Sequence, residues 1–291
     1  MTSLKLLSTS ALILGLSLVT ACKAPAPETQ AVKAPAAVEK PVVMSLAEVI
    51  ANPRRDEDRA RDKFRNPQGT LDFFEITPGK AVAEIWPGWY TKILAPYAAA
   101  TGGTYTAVLL PDGINDRLDA RNAAFKETYA DTQTYGTLNY GVFTRTELLG
   151  VPDNSQDVIL TFRNVHNWMG SGSADPAFQA FYKAIKPGGI LGVVEHRLPE
   201  SAVQDPKAKS GYVQESYMKA LAKDAGFEFV GSSEINANPR DTADHPYGVW
   251  TLPPRSRGPK DDDADKDSFN ADLYKNIGES DRATLKFRKP L

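Results

Sequence analysis

The chain contains three histidines, the side chains whose ordinary titration lies closest to neutral pH, and two of them follow apolar runs, His196 directly and His166 within a few residues. His166 lies in FRNVHNW, His196 in EHR, and His245 in DHP. A neutral imidazole within reach of a substrate can take a proton from it, which makes His166 and His196 candidate bases. Around His166, Arg163, Asn164, Asn167 and Trp168 form a denser polar and aromatic cluster than a core requires, so Asn164 and Asn167 join the candidate catalytic set. The Glu195-His196-Arg197 group reads equally as a site or as a structural ion-pair cluster. His166, His196, His245 and Glu195 are also suitable metal-ligand types, but no compact spacing motif joins them and no metal is assigned. The alternating acids Asp261, Asp263, Asp265 and Asp267 lack the glycine and distal glutamate of a calcium loop, so they read as a solvated acidic loop.

These residues need elements to hold them, and the apolar patterning supplies a set. Short apolar runs at 81–85, 104–110, 157–162, 190–195, 227–230 and 283–287, with a weaker one at 136–143, read as about seven strands. Between them, 90–100, 174–185 and 211–224 read as helices. In the second of these, Phe178, Phe181, Tyr182 and Ile185 share one face. Strand and helix alternate, which predicts an α/β domain with a Rossmann-like doubly wound sheet, whose ligands enter at the carboxyl ends of the strands. Residues 54–63, RRDEDRARDK, interleave opposite charges at helical spacing and read as a solvated helix.

Particular words in the sequence resemble one family. PDNSQDV at 152–158, KPGGIL at 186–191 and the closing SDRATLKFRKP at 280–290 resemble, in order, parts of class I S-adenosylmethionine-dependent methyltransferases of an envelope-lipoprotein type. The resemblance spans 45–291 and implies a last strand that is antiparallel. It also implies a small-molecule methyl acceptor and S-adenosylmethionine as cofactor. On the segment EIWPGWYT it places Glu84, Trp86, Gly88, Trp89 and Tyr90 at the cofactor end, with Asp112 beyond the second strand near the ribose. Such relatives carry three successive glycines before Trp-Tyr-Thr, and this chain has Gly88 alone, so the cofactor loop is expected to be short. Two functional classes stay open: a methyltransferase, or a non-catalytic envelope binding module on the same fold. A metal-dependent hydrolase is a weaker third, since no nucleophile-elbow motif is present.

The amino terminus carries a different message. Lys5, an apolar run at 6–19 and the sequence LVTAC at 18–22 resemble a lipoprotein signal, with cleavage before Cys22 and a lipid on its thiol. The expected organisation is therefore a signal peptide at 1–21, a lipidated cysteine and Ala/Pro-rich tether at 22–44, and a domain at 45–291 in which 236–281 is an insertion or lid. Ser45 is the expected N-cap of the first helix. The expected location is the outer membrane, facing the periplasm. Cys22 is the single cysteine, so no intramolecular disulfide forms. A net charge of −2 on 291 residues lacks the basic footprint of a nucleic-acid binder.

Overall fold

The computed structural model describes residues 44–263 and 266–291, all belonging to one compact unit, Pro41–Leu291. The signal peptide, Cys22 and the tether up to residue 43 lie outside the described residues, as does Asp265 of the acidic loop. No helix among the described residues is long and apolar enough to cross a membrane.

The strands are β1 (Ala81–Ile85), β2 (Thr104–Leu109), β3 (Asn139–Phe143), β4 (Leu148–Leu149), β5 (Gln156–Phe162), β6 (Ile185–His196), β7 (Glu228–Ser233) and β8 (Arg282–Arg288). They form one sheet in the order β4-β3-β2-β1-β5-β6-β8-β7. Strands β3, β2, β1, β5 and β6 are mutually parallel, while β8 runs antiparallel to β6. This is the Rossmann-like sheet with an antiparallel closing strand that the sequence predicts. The eighth strand is an addition: two residues of β4 pair with β3 and cap that edge. A two-residue run has no period to detect, which is why the sequence reading stops at about seven.

After β1 the chain winds outward through β2 and β3, then returns to place β5 on the other side of β1. The connections leave in opposite directions at β1 and β5, and that divergence opens a crevice above their carboxyl ends.

The helices are α1 (Leu46–Ala51), α2 (Asp62–Arg65), α3 (Pro67–Phe73), α4 (Thr91–Thr101), α5 (Asp116–Thr128), α6 (Thr132–Tyr135), α7 (Val165–Ser171), α8 (Ala174–Ala184), α9 (Glu215–Asp224) and α10 (Ala271–Ile277). Ser45 caps α1 in a reciprocal capping box with Glu48, as expected from its type and position. Two apolar layers sandwich the sheet. One gathers Val165, Trp168, Phe178 and Phe181 from α7 and α8 against Ile85, Ile159 and Leu191; the other gathers Leu71, Phe74, Ile93 and Leu94 against Val82, Leu160 and Val194.

The solvated helix expected at 54–63 is not there. Short 3-10 turns at Pro53–Arg55 and Arg59–Arg61 lead into α2, and Arg55 and Arg65 are buried. Arg55 reaches Asp62 at 2.8 Å and the Ile50 carbonyl at 2.8 Å, which bonds two of the three nitrogens of a guanidinium that burial would otherwise penalise. The charge alternation is thus partly an internal network.

Candidate functional site

A cavity of about 670 Å³ opens above the carboxyl ends of β2, β1, β5 and β6, a size suited to a small molecule. His166 and His196 both line it, and Val249, Trp250, Leu252, Pro253 and Pro254 form another wall. That wall comes from the long connection between β7 and β8, in the region read as an insertion. His245 is not part of the lining; its Nε2 bonds Asp241 at 2.8 Å and its ring stands 5.5 Å from that of Tyr274.

The strand ends determine where each group points. After β5, Arg163 adopts φ 63°, the left-handed region that costs a residue with a Cβ, and its N–H continues the ladder to Val194 at 2.7 Å. Asn164 then donates to the Ile85 carbonyl at 3.0 Å and to Thr161 Oγ1 at 3.1 Å, tying β5 to β1. Its amide nitrogen is therefore spent on structure, while the residue still borders the cavity. Helix α7 starts at once, burying Val165, Trp168 and Met169 and leaving His166 in its first turn, with Asn167 exposed on the cavity side.

At the end of β6, Glu195 is completely buried. Its carboxylate faces His166 Nδ1 at 3.0 Å and accepts the backbone N–H groups of His166 at 3.3 Å and His196 at 2.8 Å. With Nδ1 donating to this acceptor, the other ring nitrogen of His166 keeps its lone pair for a ligand. His196 Nδ1 is held by Ser280 Oγ. Burial, then the neighbouring His166 and Arg163, hold the His196 pKa well below its ordinary value, so this ring stays neutral.

Nitrogen and oxygen atoms of His166, Glu195 and His196 lie within 4.8 Å of one another, a spacing that a metal ion could use. Two features oppose that use. The Glu195 carboxylate already accepts three N–H groups, and Arg163, Arg282 and Arg65 place positive charge beside His196. A divalent cation would meet repulsion there, so the cluster is read as a His166–Glu195 pair with a neutral histidine beside it.

Arginine dominates the rest of the lining. Arg121, Arg145, Arg163, Arg255 and Arg282 all border the cavity, and no aspartate or glutamate does so among the described residues. Arg121, Arg145, Arg163 and Arg255 make no salt bridge or side-chain hydrogen bond among the described residues. Burial, and repulsion from Arg282, lower the Arg163 pKa to about 10, which still leaves it charged at neutral pH. Beneath the cavity, Glu279 serves three arginines: Arg61 at 2.6 Å, Arg65 at 3.1 Å, and Arg282. One carboxylate against three guanidiniums leaves this region cationic.

The residues assigned by resemblance to a cofactor divide. Trp86, at φ 51°, and Gly88 line the cavity. Glu84 is turned inward, accepting from Tyr105 at 2.7 Å, Thr91 at 3.0 Å and the Gly88 N–H at 3.2 Å. Burial raises its pKa to about 7 against those hydrogen bonds. Trp89 lies between the guanidiniums of Arg55 and Arg65, 4.9 and 5.0 Å from its ring. Tyr90 stacks on Phe162 at 3.9 Å and donates to the Arg65 carbonyl at 2.6 Å. Asp112 accepts from Asn122 at 2.6 Å and does not border the cavity; Leu110 stands there instead.

S-adenosylmethionine carries an ammonium, a sulfonium and ribose hydroxyls, which call for acceptors such as carboxylates, beside a single carboxylate of its own. Here Glu84 is bonded into the core, Asp112 is turned to α5, and five guanidiniums face the space. This lining offers no carboxylate to the ammonium, sulfonium or ribose of that cofactor; it suits an anion.

The arginines are what the sequence reading passes over. Arg163 is named there only as a neighbour of His166, and the other four are isolated arginines in separate segments with no common period. Trp168 and α7 had a usable signal, since Val165, Trp168 and Met169 repeat at i, i+3 and i+4.

No family model matches the chain, and no curated protein matches it. Among solved structures it is similar to the cyclase SpnF, at 18% identity over 78% of this chain and 80% of that one, with a TM-score of 0.48. It is also similar to a SAM-dependent methyltransferase from Aquifex aeolicus, at 15% identity over 66% of this chain and 94% of that one, with a TM-score of 0.45. A SAM-dependent methyltransferase from Methanosarcina mazei gives 13% identity over 76% and 97%, with a TM-score of 0.45. The strand order itself, rather than these distant likenesses, defines the fold.

Proposed function

We propose that this chain binds a small anionic molecule in the cavity above β1 and β5, and that His166 exchanges a proton with it. The observation that carries this reading is the lining: among the described residues it holds five guanidiniums, four of them without a salt bridge or side-chain hydrogen bond, and no carboxylate. Unpaired arginines in a partly enclosed space favour carboxylate or phosphate, because guanidinium presents a planar fork of donors to them. His166, oriented by Glu195, is the base available at the same place.

Calorimetric titration of the domain with octanoate and with phenyl phosphate tests the proposal, with octanamide as the neutral control. Both anions should bind, the amide should not, and affinity should fall as salt is raised. Equal binding of octanoate and octanamide would remove the anion reading. The methyl-transfer reading implied by the resemblance enters the same experiment through S-adenosylmethionine, expected to give no heat; tight binding of it would restore a methyltransferase in place of an anion-binding protein.

We also propose that the mature chain acts at the cell envelope, held by a lipid on Cys22 and most simply at the outer membrane facing the periplasm. The support is the LVTAC run and the Ala/Pro-rich segment after it. Cys22→Ser should abolish acyl labelling and release the protein from membrane fractions. Unchanged labelling and partition in that variant would defeat the proposal.

A further inference from the structure

Charge is not spread evenly along the cavity. Arg145 follows β3 by two residues, and Arg163 follows β5 directly. In the strand order β3-β2-β1-β5, these two ends are separated by three inter-strand spacings, about 14 Å at ~4.8 Å each. The strand ends between them contribute Leu110, Trp86 and Pro87, none of them charged. Along the strand ends the order is therefore cation, apolar surface, cation, with Arg121 of α5 beside the apolar stretch.

Backbone conformation sets the same three places apart. Arg145 has φ 86°, Trp86 φ 51° and Arg163 φ 63°, so all three non-glycine residues sit in the left-handed region and all line the cavity. Glycine would adopt this conformation without penalty, yet these positions carry two arginines and a tryptophan. Strain of this kind is held where surrounding structure fixes it, and it clusters at ligand clamps.

Resting on the anion-binding reading above, we infer that the ligand is an elongated dianion, with one anionic group at Arg163 beside His166 and the other at Arg145, and an apolar body across Trp86. Both guanidiniums border the space between these strand ends, so a ligand that meets both would carry its two anionic groups roughly 8–12 Å apart, somewhat less than the strand-end separation.

A series of straight-chain dicarboxylates from succinate to dodecanedioate, titrated beside octanoate and decanoate, tests the length. Affinity should rise to a maximum near suberate and sebacate and exceed that of the monoacid of equal length at least tenfold. Arg145→Ala, an exposed loop position, should remove that advantage, bringing diacid and monoacid to the same affinity, with folding checked by an unchanged melting temperature. Absence of a length optimum, or a diacid advantage that survives in Arg145→Ala, would overturn the dianion while monoacid binding kept the anionic site. If neither acid bound, the anion reading would fall with it.

Discussion

Glu279→Gln should lower the melting temperature of the domain by roughly 6–20 °C, the equivalent of about 3–5 kcal/mol in a domain of this size. The expected loss is large because Glu279, only 2% exposed, is the carboxylate that bonds Arg61, Arg65 and Arg282, and two of those arginines are themselves 3% exposed. Removing its charge while keeping its shape leaves three guanidiniums with no counter-charge in a region where water cannot replace it. The pH dependence has a definite sign. Burial pushes the Glu279 carboxyl up, but Arg282 and Arg65 more than reverse this and bring its pKa to about 2, below the ordinary 4.5. Its contribution is complete above pH 4.5 and is lost as pH falls toward 2. Thermal unfolding across that window should show an acid-side slope in the native protein that is reduced in Glu279→Gln. A variant as stable as the native chain would mean that the arginines have other means of compensation.

Arg163→Asn should act in the opposite sense on stability while weakening binding. Asparagine tolerates the left-handed conformation better than arginine does, and the change removes a charge repelled by Arg282 and Arg61. The domain should gain about 1 kcal/mol, read as a melting temperature a few degrees higher. Octanoate affinity should fall roughly 10- to 100-fold, as expected for one hydrogen bond to a charged group. This pairing separates a ligand-binding arginine from a structural one, because replacing a structural arginine would lower stability and leave affinity unchanged. A melting temperature several degrees lower with affinity retained would assign Arg163 to the scaffold.

Much of the architecture is legible in the residues themselves. The runs at 81–85 and 157–162 are short, apolar and bracketed by turn residues, and they became β1 and β5 because strands buried on both faces leave that mark. The helix at 174–184 was legible for the same reason: Phe178 and Phe181 repeat on one face, and both are fully buried. The convergence of His166 and His196 also followed from sequence, because residues just beyond neighbouring parallel strands emerge on the same edge; their rings lie 5.5 Å apart. Charge alternation was a poorer guide. At 54–63 it suggested solvation, and Arg55 instead became one of the largest completely buried side chains.

The α/β alternation, the approximate limits of most strands and the edge where a ligand would enter are written in local patterning. Periodicity carries those features because it records which positions leave water. It takes the folded chain to turn Glu84 into the core, to set two guanidiniums against the Trp89 ring, and to bring five arginines from separate segments to one cavity. An arginine buries its hydrocarbon stem while its head takes whatever partner is within reach. Whether that partner is a carboxylate, a ring or an unfilled space depends on which segments the fold brings together, and local spacing holds no record of that.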